Sequence, residues 1–309
     1  MPLRDVLLHL PDLREGKVRI SWSLAAGRRL IVTTDRLSAF DRVVAVVPHK
    51  GQVLNELSAW WCEQTRDIID NHLIAVPVPQ AMIVIDARPL PVEVVVRGAL
   101  TGSTSTALLP RYQAGERVIY GHRFADGLAP HSALTKPIIT PTTKAQHGAH
   151  DEPLSVSDVV ERGLVDATTW QLVCDAALQL FERGRRVAAS AGLVLADTKY
   201  EFGIDADGRL LLIDEIHTPD SSRYWVAASL HDRLAAGREP ESLDKEPVRL
   251  ALAALGYRGD GEPPTLAPEV IAATSQRYVA AYERLTGSTF VPAAPLTSQS
   301  LLAAVSEVV

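Results

Sequence analysis

Apolar and polar positions divide the chain into segments of different period. Between Val53 and Ile69, Leu54, Leu57, Trp61 and Ile68 recur at roughly helical spacing and predict an amphipathic helix. A longer helix is expected over 168–190, where Val173, Ala177, Leu180, Phe181, Val187 and Ala188 line one face and Gly192 ends it. Short apolar runs predict strands at Leu30–Thr34, Met82–Asp86, Val92–Val96 and Leu210–Ile213. Ala87-Arg-Pro-Leu-Pro91 separates two of them, as a hinge between lobes would. Three further helices are expected near 225–236, 247–256 and 268–286, and the last fifteen or so residues read as a weakly held tail. Residues 101–155 lack periodicity and read as a long functional loop, after which Ser155-Val-Ser-Asp158 offers helix caps.

Charge interrupts this pattern in two places. Val194–Asp205 is a strand in which Asp197, Lys199 and Glu201 share one face while Thr198 and Tyr200 point the other way. Three charges on one strand face are rarely a packing device, because burying charge is costly unless it is paired or metal-bound. Asp205-Ala-Asp-Gly208 then predicts a hairpin into the next strand, which brings Glu201 near Asp214. Asp214 and Glu215 end that strand, and Pro219-Asp-Ser-Ser222 leads to Arg223. A hard cation such as Mg²⁺ takes one or two carboxylates plus substrate phosphates, so Glu201 and Asp214 form a candidate metal cradle. Arg223 can grip a phosphate or carboxylate with two parallel N–H donors.

Composition narrows the function. The 309 residues allow two lobes or one large domain, and 47% hydrophobic content suffices for a core. A net charge of −6 does not point to nucleic acid or an anionic membrane surface. No apolar run of about 18 residues predicts a membrane helix, and the N-terminal stretch does not read as a signal peptide, so a cytoplasmic location is expected. Cys62 and Cys174 read as small core residues in a reducing compartment. His147, His150 and Asp151 have no standard zinc spacing. His9, His49, His72 and His231 read as surface or packing residues.

Six blocks in order resemble the phosphoribosylaminoimidazole-succinocarboxamide synthase (SAICAR synthetase) family. They are Gly16-Lys-Val-Arg19, Thr34-Asp-Arg-Leu-Ser-Ala-Phe-Asp41, Val92–Ser103, Thr140-Pro-Thr-Thr-Lys144 with His150-Asp-Glu152, Asp197-Thr-Lys-Tyr-Glu-Phe-Gly203, and Asp214–Trp225. The resemblance implies an α+β, two-lobed fold. Its kinase-like N-terminal lobe, residues 1–97, is mainly β and covers the nucleotide. An ATP-grasp-like C-terminal lobe, 98–309, holds substrate and metal and carries a helical extension. It also implies an ATP-dependent carbon–nitrogen ligase of purine biosynthesis that uses Mg²⁺ and joins carboxyaminoimidazole ribonucleotide (CAIR) to L-aspartate. No nucleic-acid or membrane partner is expected, and the chain is expected to be a monomer or homodimer.

Matched by position, Gly16, Lys17, Val18, Arg19 and Lys144 are implied at the ATP phosphates. Glu201 and Asp214 are implied at the Mg²⁺–nucleotide. Arg97, Ser103, Ser222 and Arg223 are implied at the ribonucleotide phosphate, and Asp197 and Lys199 at the imidazole and its carboxylate. Glu93, His150 and Asp151 are implied near the substrates. Asp35, Ser38 and Asp41 either shape the site floor or build a turn. The chain departs from the family at Ile20, Thr104-Ser105-Thr106 and His217. Two other readings therefore stay open: a paralogous amide ligase with another amine or nucleotide, and a nucleotide-binding regulatory protein without activity.

Overall fold

The computed structural model describes residues 10–144 and 152–307. The chain opens with strands β1 (Arg14–Glu15), β2 (Arg19–Leu24) and β3 (Arg28–Thr33), then the hairpin β4 (Arg36–Ala39) and β5 (Arg42–Val46). Helix α1 (Lys50–Gln64) precedes β6 (Leu73–Val78) and β7 (Ala81–Ile85). Five of these strands pair antiparallel in the order β1-β2-β3-β7-β6. Their alternation turns Ile20, Trp22, Leu30, Val32, Ala81 and Ile83 inward.

The second sheet is built around one strand. After β8 (Arg88–Pro89) and β9 (Val92–Ala99) come α2 (Leu108–Gln113), β10 (Val118–Ile119), β11 (His122–Arg123) and β12 (Ala133–Thr143). Helices α3 (Val156–Glu161) and α4 (Ala167–Ser190) lead into β13 (Leu193–Ile204), β14 (Leu210–Ile213) and β15 (Ser222–Val226). The path runs β12-β9-β13-β14, and β13 also pairs with β8 and β15. The expected lobe boundary at residue 97 thus falls inside β9, which is a full member of this sheet. Helix α4 covers the sheet with Val173, Ala177, Leu180 and Phe181.

Two expectations are corrected. The loop-rich reading of 101–155 missed β12, because Pro137 and Pro141 lie within it. β12 ends the sheet path, its far side meets only the short stretch 152–154 through Thr143 N–H to the Glu152 carbonyl and Leu154 N–H to the Pro141 carbonyl, and proline is tolerated on such edges. The register also shifts between Ala133 and Ile138, where Pro137 sits. The C-terminal segment is not a loose tail. After α5 (Ala227–Ala235), α6 (Glu246–Ala254) and α7 (Pro268–Thr286), helix α8 (Ser298–Ser306) docks on the N-terminal sheet. There Leu301 is fully buried against the core that holds Trp22 and Leu30.

Helix α1 links both halves of the core. Leu57, Trp61 and Cys62 join the cluster under α4, while Val53 and Leu54 pack with Val248, Leu252 and Tyr278 of α6 and α7. Its start lies close to β3: a Cβ on Gly51 would sit 2.4 Å from the Thr33 carbonyl oxygen. The Gly51 N–H donates to Asp35 Oδ1 at 2.8 Å, so Asp35 serves as a helix-end acceptor. Ser155 and Asp158 form the capping box expected at α3. Cys62 and Cys174 are buried free thiols, both pushed up to about 12 by burial. Among the described residues, no helix is long and apolar enough to cross a membrane.

Candidate active site

The expected hairpin forms, and its register builds the acidic half of the site. Glu201 pairs with Ile213, which places Asp214 beside it at the strand end. Asp214 turns away from the strand with φ 65°, a left-handed conformation that non-glycine residues adopt at some cost. Lys199, two residues before Glu201 on the same face, inserts its ammonium among the acids. Its Nζ lies 3.4 Å from Glu93 Oε1 and 3.4 Å from Asp214 Oδ2, and it also pairs with Glu201. Lys144, just beyond β12, reaches the second Glu201 oxygen. Arg19, at the start of β2, pairs with Asp214 and lies 3.3 Å from Glu215 Oε1.

These charges sustain one another. Burial alone would raise the Glu201 carboxyl, but Lys199 and Lys144 outweigh it and hold Glu201 down to about 2. Burial would lower Lys199, and Glu201, Glu93 and Glu215 instead hold it above its ordinary value. Glu201 and Asp214 supply hard oxygen donors, which fits Mg²⁺. Among the described residues no group of three or more metal-ligating side chains converges. The fit therefore requires nucleotide phosphates and water to complete the coordination, as Mg²⁺ sites on nucleotides commonly do.

The basic half lies further back along β13. Asp197 is opposite Arg97 of β9 on one side and Arg223 of β15 on the other. Its carboxylate accepts from Arg223 Nη1 at 2.7 Å and lies 3.6 Å from Arg97 Nη1. Arg97 also donates to Thr140 Oγ1 at 2.8 Å and to the Thr106 carbonyl at 3.3 Å. Arg223 Nη2 contacts Glu246 Oε2 at 3.2 Å, and Arg249 Nη1 reaches the same oxygen at 2.7 Å. Arg223, Ser103, Gly102 and Glu246 line an open cleft together with His131 and Trp225. Gly102 is required there: its φ is 103°, and a Cβ would lie 2.5 Å from Ala107 Cβ and 3.0 Å from Arg223 Nη2.

Most of the expected residues converge. Glu93, Lys144, Lys199, Glu201, Asp214 and Arg19 meet at one end, and Arg97, Asp197, Ser103 and Arg223 at the other. The Ser222 hydroxyl turns to Thr198 Oγ1 at 2.7 Å, away from the Asp197 face. Lys17 extends to Asp41, and Gly16 N–H closes a turn on the Arg19 carbonyl at 2.8 Å. The Val18 carbonyl accepts from Thr34 N at 2.9 Å and Thr34 Oγ1 at 2.6 Å, which anchors this loop. His147, His150 and Asp151 lie outside the described residues.

Sequence reasoning gave no place to Glu246 and Arg249, and it named Glu215 only as an acid at the strand end. The first two belong to a dense charge run, Asp244-Lys-Glu-Pro-Val-Arg249, at the start of a helix that the sequence predicts only from about residue 247. The departure at 104–106 belongs to the basic half, since the Thr106 carbonyl accepts from Arg97 and, at 2.7 Å, from Tyr120 OH. His217 lies fully buried behind the acidic loop, 4.4 Å from the Trp61 ring, with Nε2 2.5 Å from Tyr200 OH. Burial pushes it down to about 3, so it packs as a neutral ring.

The sequence pattern of the SAICAR synthetase family matches residues 12–264. The chain belongs to the SAICAR synthetase family. A putative phosphoribosylaminoimidazole-succinocarboxamide synthase 2 of Mesorhizobium japonicum is 48% identical over 283 residues, 92% of this chain and 90% of the relative. The phosphoribosylaminoimidazole-succinocarboxamide synthase of Legionella pneumophila (strain Lens) is 48% identical over 279 residues, 90% of this chain and 88% of that one. The solved SAICAR synthase of Saccharomyces cerevisiae complexed with SAICAR superposes with a TM-score of 0.76 at 30% identity, covering 91% of this chain and 96% of that one. A type-2 SAICAR synthetase in complex with ADP shares the fold, with a TM-score of 0.69 at 24% identity over 91% of this chain and 100% of that one. The two-lobed α+β architecture of SAICAR synthetases is therefore that of this chain.

Proposed function

We propose that this chain is an ATP-dependent ligase that joins CAIR to L-aspartate, giving SAICAR, ADP and phosphate in purine biosynthesis. The reading rests on family membership and on the order of charges along β13. Asp197 with its two arginines and Glu201 with its two lysines lie four residues apart on one strand face. That spacing is roughly 13 Å at strand rise. A ribonucleotide fits this order when its phosphate meets Arg97 and Arg223 and its carboxylate meets Lys199 and the Mg-nucleotide that the acids would hold.

A carboxylate is a poor acyl donor until phosphorylated. The γ-phosphoryl group of ATP moves to a CAIR carboxylate oxygen, releasing ADP. The aspartate amine then bonds to the acyl carbon, the carbon–oxygen bond to phosphate breaks, and the amine's proton passes to the departing phosphate or to water. Arg97, Ser103 and Arg223 bind the ribonucleotide phosphate, and Lys199 neutralises the reacting carboxylate. Lys144 and Arg19 face the nucleotide phosphates above the acids, under the Gly16–Arg19 turn. Glu201 and Asp214 would hold Mg²⁺, whose role is to neutralise charge on the transferred phosphoryl group. We assign the first sheet, β1-β2-β3-β7-β6, chiefly to nucleotide cover, and the sheet built on β13, with Glu93 and Arg97 of β9, to substrate and metal.

Incubating the purified protein with CAIR, Mg-ATP and equal concentrations of L-aspartate, L-glutamate, L-asparagine and L-alanine tests the reading, with the amide identified by mass. SAICAR is the expected main product. A different dominant amide would move the chain to a paralogous ligase, and no ADP formation with any amine would overturn the ligase assignment.

A further inference from the structure

Beneath the basic half of the site lies a charged knot that the reaction does not use directly. Asp220 is buried in the turn between β14 and β15. Its Oδ2 is 3.0 Å from Lys50 Nζ of α1 and 3.9 Å from Lys245 Nζ before α6. Its Oδ1 accepts from Tyr278 OH of α7 at 2.5 Å. The Lys50 side chain is fully buried. Three separate elements thus converge on one carboxylate in the interior.

Such a knot is a poor device for stability, since desolvating both partners offsets much of their attraction. What it fixes is position. Asp220 lies three residues before Arg223, within a turn closed by Ser222 N–H donating to the Thr218 carbonyl at 2.9 Å. Lys245 is followed directly by Glu246, the partner of Arg223 Nη2. It is preceded by Asp244, which accepts the Tyr224 N–H at 3.0 Å. Asp197 holds Arg223 Nη1 directly, while two further supports, the chain before Arg223 and the segment that carries Glu246, both end on Asp220.

We propose that Asp220, clasped by Lys50, Lys245 and Tyr278, is a positioning residue that sets the Arg223 guanidinium for the substrate phosphate. This rests on the reading of Arg223 given above. Burial alone would raise the Asp220 carboxyl, but Lys245 and Lys50 hold it well below the carboxylate range, so Asp220 stays a carboxylate near neutrality.

The test uses Tyr278→Phe, which removes one hydroxyl from a fully buried ring, and Lys50→Met, with Lys50→Arg as the conservative rescue. The expected result is a CAIR KM raised about tenfold, an ATP KM within about twofold of wild type, and substantial recovery in Lys50→Arg. A purely structural role would lower the unfolding temperature and leave the CAIR KM of the folded enzyme unchanged, which overturns the proposal. Arg223→Lys is measured in parallel and combined with Tyr278→Phe. If Arg223→Lys alone raises the CAIR KM, the substrate reading stands and the positioning claim falls. If neither raises it, both fall. In the double variant, Tyr278→Phe should add less than about twofold, since both act through one guanidinium. Full multiplication of the two effects would contradict the proposal.

Discussion

Glu201 and Asp214, thirteen residues apart in sequence, become neighbours because Glu201 is paired with Ile213 across the β13–β14 hairpin. A one-residue slip of that register would turn one of the two acids to the opposite face. The acidic half of the site is thus specified by the turn at Asp205–Gly208. There the Asp205 carboxylate accepts from Asp207 N at 3.0 Å and Arg209 N at 2.8 Å.

Asp214→Asn should leave the fold intact and lower kcat by about 100-fold or more, since phosphoryl transfer relies on metal neutralisation. Steady-state ADP release at saturating Mg²⁺, with circular dichroism as the control for folding, measures it. Near-normal turnover would remove Asp214 from the metal cradle.

Arg223→Lys keeps the charge and loses the planar fork. The CAIR KM should rise about tenfold while the ATP KM stays level. Equal rises in both constants would place Arg223 between the substrates or make it a support of the sheet alone.

The pH dependence of stability follows from Glu201, which the fold holds at about 2 against an ordinary 4.5. Its folded-state value is depressed, so its contribution is fully present above about pH 4.5 and is lost as pH falls toward 2. Urea unfolding between pH 7 and 3 should show this acid loss in wild type and a flatter profile in Glu201→Gln. Parallel profiles would mean that the ion pairs with Lys199 and Lys144 do not persist in solution.

Leu301→Ala tests the docking of α8. The side chain is fully buried against the N-terminal sheet, and truncations of this kind cost about 2–5 kcal/mol. Thermal unfolding should show the loss, with kcat little changed below the transition. A variant as stable as wild type would mean that α8 is dispensable for the sheet.

The acidic half and the central hairpin were legible in the sequence because both follow from local rules. Alternation put Asp197, Lys199 and Glu201 on one face, and a glycine-containing turn brought the next strand back. Helix α4 was legible for the same reason, from its apolar stripe. What could not be read was long-range. Nothing near Leu301 signals that its partners are Trp22 and Leu30, and nothing near Lys50 signals Asp220. Strand β12 was hidden by its own prolines, which only an edge position excuses. Glu246 and Arg249 were visible as charges, but their proximity to Arg223 depends on the packing of α6.

The seat of α8 on the first sheet has a consequence for how the protein is made. Strands β2 and β3 leave the ribosome early, yet part of their covering is encoded near residue 300. At synthesis rates of about 5–20 residues per second, that sheet waits on the order of ten seconds or more with Trp22 and Leu30 incompletely shielded. Pulse proteolysis of stalled chains ending before residue 298 should find the first sheet more open to cleavage than in the finished protein, and equal resistance would contradict this. Strands that are synthesised early are thus covered late, and in that interval the young chain depends on being kept apart from its neighbours.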